Sequence, residues 1–442
     1  MTKTVFQFLP RTWKLVTIGE LGQIVTGCTP STSHPEYYEG DIPFVSPSDI
    51  GASRFISGAQ SSLSATGASK ARMIPTNSVM VTCIGLLGKV GQADISLATN
   101  QQINSIVPFA NVEPAYIFWV SHLLKPQMEV VAGLQVVPIV NKTTFSGLLL
   151  PFPPLSGQRT IAAILDTIHA AIQQTDSLIA KLRQMKAGLL HDLLTRGLDE
   201  NGELRDPVAH PEQFKASALG LIPREWEITP LEAKKRIDRP YIKTGPFGSS
   251  LKGEHWVEEG VPVITIGSLG EGKFIESELL YITESKADSL AAYAVEPGDL
   301  VFSRVADVGR SVVVRESEEG WIMSSNLMRI ALDPVQVIPQ FAYLNLVFND
   351  VTRQQIRRFV NAGGREIANT PILNSMRFTW PSYEEQCLIS EIVVSYDSRI
   401  RAEETARDKL ALLKRGLMND LLTGRVRVTG LDLPIEGVTD ES

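Results

Sequence analysis

The segment MKAGLLHDLL (Met185–Leu194) returns as LKRGLMNDLL (Leu413–Leu422), 228 positions later. Extended upstream without a gap, the match lays residues 153–195 over 381–423. Identities fall at Pro153/Pro381, Gln158/Gln386, Ile161/Ile389, Ile164/Ile392, Ile172/Ile400, Lys181/Lys409, Leu182/Leu410, Lys186/Lys414, Gly188/Gly416 and Leu189/Leu417, and both copies end on Asp-Leu-Leu-Thr. One constant offset over so long a stretch marks a tandem duplication, and a duplicated chain has to fold as two like halves.

Each copy has the apolar spacing of a long helix with a coiled-coil seam, alternating steps of four and three. The seam falls on Ile161, Leu165, Ile168, Ile172, Leu182, Leu189 and Leu193, then on Ile389, Val393, Ile400, Leu410, Leu417 and Leu421. Proline precedes each helix. Ser382 with Glu385 has the pattern of a capping box, which the first copy lacks because Gly157 replaces the glutamate. Gly197 and Gly424 stand where C-terminal caps belong. A helix of about 34 residues is about 50 Å long. Two such helices, each leaving one domain, pack most simply antiparallel, with the halves related by a pseudo-twofold axis.

The regions upstream echo as well. LPRTW (Leu9–Trp13) returns as IPREW (Ile222–Trp226), IPFV (Ile42–Val45) as VPVI (Val261–Ile264), and IPTNSVMV (Ile74–Val81) as VEPGDLVF (Val295–Phe302). Each reads as a turn feeding a strand. Ile139/Ile367 and Asn141/Asn369 already share the helix offset. The expected organisation is domain 1–150, helix 151–197, linker 198–220, domain 221–380, helix 381–427 and a tail 428–442.

The chemistry of an enzyme is missing from the sequence. GLLGKV (Gly85–Val90) lacks the spacing of a phosphate-binding P-loop. There is no HExxH. No Asn- or Asp-Pro-Pro-aromatic tetrapeptide occurs, and FPPL (Phe152–Leu155) lacks the polar first residue. The three cysteines are scattered, with no CxxC, so neither zinc nor a disulfide framework is expected. A net charge of −7 argues against coating nucleic acid by bulk charge, although residues 1–150 carry +1 and residues 381–442 carry −4. No apolar run is long enough to cross a bilayer and the N-terminus lacks the layout of a secretion signal, so the expected location is cytoplasmic.

LPFPPLSGQRTIAAIL with LHDLLTRG, then WPSYEEQCLISEIV with LMNDLLTGR, together resemble the two conserved helical regions of the specificity (S) subunit of type I restriction-modification systems. The family's entry motif is Pro-Pro-Leu-x-Glu-Gln and its exit is Leu-Leu-Thr-Gly. IPFVSPSDI and TNQQINSIVP are similar to its target-recognition signatures. This chain departs at Gly157, where glutamate is usual, and at Ser382-Tyr383 in place of Pro-Leu. The resemblance runs nearly end to end. It implies an α/β (α+β) protein, with two similar mixed α/β target recognition domains separated by two long antiparallel helices that form a coiled coil. It also implies a non-catalytic, DNA-binding subunit in which each domain reads one half of a bipartite, asymmetric site of double-stranded DNA. The helices would set the spacing and dock two methyltransferase subunits, and through them restriction subunits. No cofactor is implied in this chain; S-adenosylmethionine, ATP and Mg would sit on the partners, with no membrane involved. The rival classes are a fused methyltransferase or nuclease, and a coiled-coil adaptor with no DNA role.

Base readout needs side chains with paired donors or acceptors on loops. The DNA-binding candidates of the first domain are Ser46, Ser48, Lys89, Asn100, Gln101, Gln102 and Lys142. Those of the second are Ser249, Lys252, Ser268, Arg304, Arg310, Asn326 and Arg365. RQQIRR (Arg353–Arg358) reads as a solvated helix face, with phosphate contact as the second reading.

Overall fold

A computed structural model describes residues 9–51, 53–133, 136–362 and 367–428. The chain divides into two compact units: residues 1–177 with 404–442, and residues 178–403. The division falls inside the long helices rather than at the ends of the two α/β domains.

In the first unit, six strands carry the architecture: β1 (Gly22–Thr26), β2 (Tyr38–Val45), β3 (Val79–Thr82), β4 (Val90–Ala93), β5 (Leu97–Thr99) and β6 (Ile103–Pro108). One sheet has the order β1-β6-β3-β4, antiparallel throughout, with Phe55–Ile56 added parallel at the β4 edge. In the other, β2 and β5 run parallel, flanked by Ser61–Leu63 and Met73–Ile74. Val-Met-Val-Thr of β3 is buried at every position, as a central strand covered on both faces must be. Lys14–Thr17 pairs antiparallel with Leu149–Phe152, so the start of the domain is tied to the strand that feeds the helix α1 (Leu155–Thr195, 41 residues).

The second unit repeats the plan. Its strands are β7 (Ile242–Thr244), β8 (Val261–Ile264), β9 (Leu300–Ser303), β10 (Ser311–Val313), β11 (Ile322–Met323) and β12 (Leu327–Ile330). The order β7-β12-β9-β10 reproduces β1-β6-β3-β4, and β8 and β11 run parallel as β2 and β5 do. Glu227–Thr229 pairs with Phe378–Trp380 ahead of the helix α2 (Tyr383–Leu422, 40 residues).

Within each unit the two helix segments run antiparallel. In the first, His169 of α1 meets Lys414 of α2 at 3.3 Å, and Asp176, two turns on, meets Arg407, two turns back. In the second, Ile179 and Leu182 cluster with Ile400, Lys186 pairs with Asp397 at 2.6 Å, and Leu193 shares a core with Ile389. All thirteen seam residues are buried or half-buried. Their environments differ from those of a uniform coiled coil, however. Ile161 and Leu165 belong to the core of the first domain, and Leu193, Ile389 and Val393 to that of the second. Among the described residues, only Ile179, Leu182 and Ile400, with Leu178 and Tyr396, form a cluster built from helix alone. A 3-4 spacing specifies a buried stripe; what covers it is decided by the neighbouring elements.

The repeated glutamine at the start of each helix has a clear task. Gln158 donates to the Pro153 carbonyl (2.9 Å) and accepts from the Glu113 amide (3.0 Å). Gln386 does the same with Pro381 and Ile338 (3.1 and 3.0 Å) and adds the Gln336 carbonyl (3.2 Å). Both are fully buried and staple the helix to the domain it leaves. At the far ends, Gly197 and Gly424 take φ of +63° and +75°, as C-terminal caps.

Two expectations change. The Ser382 hydroxyl accepts from the Glu385 amide (3.2 Å), but the Glu385 carboxylate does not return to cap Ser382. It is buried with Arg205 (2.7 Å), the Leu198 amide (2.8 Å) and the Trp226 indole (3.1 Å). A charge-assisted tertiary bond outcompetes a local cap. Residues 198–220, expected to be a linker, therefore lie folded on the second unit. Leu198 bridges to Leu204, Arg205 is buried, and Phe214–Ser217 begins a hairpin with Gly220–Pro223.

Candidate nucleic-acid interface

The C-terminal ends of parallel β2 and β5 and the β3–β4 turn bring the loops of the first unit to one edge. Val45 at the end of β2 accepts from the Asn100 amide (3.0 Å), and Gln102 accepts from the Cys83 amide (2.7 Å). The Cys83 carbonyl in turn accepts from Val140 (2.9 Å), and Gly85 donates to Pro138 (3.0 Å). Four loops, 46–49, 83–89, 100–102 and 138–142, are thus laced by main-chain bonds. A fifth, after β1, approaches so closely that a Cβ on Gly27 would lie 2.2 Å from the Thr99 carbonyl oxygen.

All seven candidates of the first unit sit on this edge, in different states. Ser48 and Lys142 are exposed. Gln101 is exposed and accepts from the Thr29 hydroxyl. Lys89 donates to the Pro47 carbonyl (3.1 Å), which joins two of the loops. Asn100 and Gln102 bond to each other through side chain and main chain (both 3.0 Å). Ser46 is committed to structure: its amide and hydroxyl both donate to the Asp49 carboxylate (2.8 and 2.7 Å). Burial works against the Asp49 charge, yet the Gln60 and Ser46 amides and the Ser46 hydroxyl hold its carboxyl below the usual range.

The second unit repeats three of these four lacing bonds among the described residues. Ser324 donates to Ile264 (2.9 Å), Arg304 to Asn326 (3.1 Å), and Ala368 to Arg304 (2.8 Å). A Cβ on Gly245 would lie 1.9 Å from the Ser324 carbonyl oxygen, as at Gly27. In both units one amide and one carbonyl close the turn between the central strands: Thr82 with Lys89 at 3.0 Å, Ser303 with Arg310 at 2.8 Å. Lys89 and Arg310 are therefore positional counterparts, as are Gln102 and Asn326, and Cys83 and Arg304. Ser249, Lys252 and Asn326 are exposed, and Arg304 and Arg310 half-buried. Ser268 corrects its expectation: it is fully buried, and its hydroxyl donates to the Thr265 carbonyl (2.9 Å) and accepts from the Thr265 amide (2.9 Å). It closes a turn and offers nothing to a ligand. Arg365 lies outside the described residues, with Gly363 and Gly364.

Several residues on the first edge carry no sequence signal. Arg72 is exposed and donates to the Thr26 carbonyl (2.9 Å), at the root of the loop after β1. Lys125 follows a 3-10 turn, yet its Cβ would lie 2.7 Å from a Cβ on Gly88. Leu86, Val137 and Ile139 are exposed on neighbouring loops. Only the tertiary fold places them. Gln355 of the RQQIRR segment is not simply solvated, since it bonds both the amide (3.0 Å) and the carbonyl (2.8 Å) of Arg377.

Among the described residues no group of acidic, histidine and cysteine side chains could hold a metal ion, and no helix is long and apolar enough to cross a membrane. Burial pushes the Cys83 thiol up to about 12, which removes it as a nucleophile. The edge is a surface of amides, hydroxyls and cations on a rigid frame, suited to hydrogen bonding with a polar, anionic partner.

A family model described as the type I restriction modification DNA specificity domain matches residues 10–184 and again 242–412. The chain is 24% identical over 437 residues to the type I restriction enzyme MjaVIII specificity subunit of Methanocaldococcus jannaschii, covering 96% of this chain and 95% of that one. It is 35% identical over 145 residues to the HindI specificity subunit of Haemophilus influenzae, 31% of each chain. Among solved structures, an S subunit from M. genitalium superposes over 94% of this chain and 98% of its own, with a TM-score of 0.55 at 16% identity. A chain from a study of assembly and conformational transition in the type I R-M system gives 0.58 over 95% and 100%, also at 16% identity. The two structural likenesses show a shared fold.

Proposed function

Since this chain belongs to the type I restriction-modification DNA specificity family, we propose that it is the subunit that reads DNA sequence in such a complex and catalyses nothing itself. Each recognition edge reads one half of a bipartite site, and the two halves differ. The observation that carries this is the doubled lattice of loops: one main-chain frame built twice, with Cys83, Lys89 and Gln102 exchanged for Arg304, Arg310 and Asn326. A common frame fixes where the contacts fall; unlike side chains make the two halves unlike in sequence.

The helices would hold the spacing between half-sites and dock methyltransferase subunits. Each is about 60 Å long at 1.5 Å per residue, against about 34–36 Å for one turn of B-DNA. S-adenosylmethionine, ATP and Mg belong to the partners, and the partners supply much of the sequence-independent phosphate affinity that an acidic chain lacks.

The test is a domain exchange. Residues 12–150 are replaced by those of another family member, the chain is co-expressed with its methyltransferase partner, and methylated adenines are mapped across host DNA. One half of the motif should change while the other stays. If both halves change together, the modular reading fails. Methyl transfer by the purified chain alone would favour a fused enzyme instead.

A further inference from the structure

We propose that Arg304 is a guanine reader of the second half-site, and that the first half-site has no counterpart to it. This rests on the reading of the chain as a DNA specificity subunit and names one base contact within it.

Arg304 is held in place from both sides. Its amide donates to Asn326 and its carbonyl accepts from Ala368, and the next residue, Val305, bridges to Ile367. The side chain thus leaves a rigid root where two loops meet, beside exposed Asn326. Its guanidinium has no protein partner among the described residues, although its Nε is buried without an acceptor. Among the described residues, the other arginines of this unit with a buried, unbonded nitrogen are Arg239 and Arg329, and both are ion-paired to Asp299. Arg205, buried as well, is paired to Glu385. A partly desolvated guanidinium without an acceptor is unfavourable in the free chain. Nη1 and Nη2, unlike Nε, are not buried and have no partner among the described residues, so this end of the fork is open to an acceptor that arrives with the ligand, and the O6 and N7 edge of guanine is the bidentate match. Phosphate offers the same fork, so the test has to tell the two apart. In the first unit this position is Cys83, buried and spanned by the same two main-chain bonds. A base opposite it is met by no cation from that strand end.

The experiment uses the whole complex, this chain with its methyltransferase partner, carrying R304A or R304K. Methylated adenines are mapped in host DNA, and binding is measured to duplexes in which each base pair of the motif is replaced in turn. For R304A, discrimination should fall roughly 5- to 150-fold at a single G·C pair of one half-site, with the other half unchanged. R304K, which keeps the charge without the fork, should hold overall affinity and lose most of that discrimination. An R304A motif unchanged at every position overturns the inference. So does an even loss of affinity for all duplexes with a smaller salt slope, the mark of a phosphate contact. If R304A binds nothing while R304K keeps the full preference, the side chain supports the fold and the inference fails. Absence of any bipartite motif from the unaltered complex would instead defeat the functional reading itself.

Discussion

The same lysine faces opposite chemistry in the two copies of the helix. Lys186 pairs with Asp397 in the second unit; its repeat, Lys414, meets His169 in the first, the residue that corresponds to Asp397. Lys414 also lies 4.8 Å from the Trp119 ring centre, and Trp119 donates to Asp166 (2.7 Å), which binds buried Arg54. At these matching positions the first unit packs its helices through an aromatic and basic cluster and the second through an ion pair, although Asp176 and Arg407 give the first unit an ion pair of its own. Entry to the helix diverges as well. Glu385 anchors the chain returning from α1, while Gly157 at the matching place has no side chain to do so. Duplication copied the hydrophobic stripe and the glutamine staple. The polar partners were free to drift, because the stripe fixes register and each polar contact has only to be satisfied locally.

The largest test of this difference is at Glu385. Replacing it with alanine strips Arg205 of its buried partner and should destabilise the second unit by about 3–5 kcal/mol, read as a lower midpoint in urea. An E385A chain as stable as wild type would deny the anchor. Next come the staples. Q158A and Q386A each leave a buried carbonyl and amide unpaired and should each lose about 2–3 kcal/mol. Q386A should lose more, since Gln386 has three partners to two for Gln158. Equal losses in calorimetry would show that the Gln336 contact adds nothing.

The pH response should separate the units further. Burial, then Lys414 and Arg54, hold the His169 imidazole below its ordinary 6.5; Asp166 opposes them, and nearby His122 adds to them. Burial likewise lowers His122, with the Phe118 and Trp119 carbonyls opposing. Folding therefore favours neutral rings, the unfolded chain takes up protons first, and the first unit loses stability as pH falls below about 6.5. H169D installs the pair seen at Lys186–Asp397, and should gain ~1 kcal/mol at neutral pH and blunt the acid loss. Hydrogen exchange at pH 5.5 and 7.5, followed unit by unit, reads both; an acid response equal in the two units would contradict it. The smallest effect belongs to the exposed glycines within the helices, Gly188 and Gly416, where an added Cβ meets nothing. G188A and G416A should each raise stability by about 0.5–1 kcal/mol, alike in both copies.

Much of this molecule was open to a reader of the sequence. The offset of 228 announced two halves, the 3-4 spacing gave both helices, and Gly197 and Gly424 marked their ends. The candidate loops emerged because turn residues and paired amides stand out between apolar runs. Ser268 is illegible in the sequence because a buried serine that closes its own turn looks, in sequence, the same as one that faces solvent. Arg72 and Lys125 were passed over because nothing local distinguishes them from any exposed cation.

The sequence by itself determined periodicity, duplication and the absence of catalytic motifs, since these are properties of residue order and spacing. Only the tertiary structure decided that Glu385 abandons its helix cap for Arg205, that residues 198–220 are folded rather than free, and that Cys83 and Arg304 hold the same place. Those outcomes depend on which buried polar groups find partners, and a partner 180 residues away leaves no trace in the spacing of either residue.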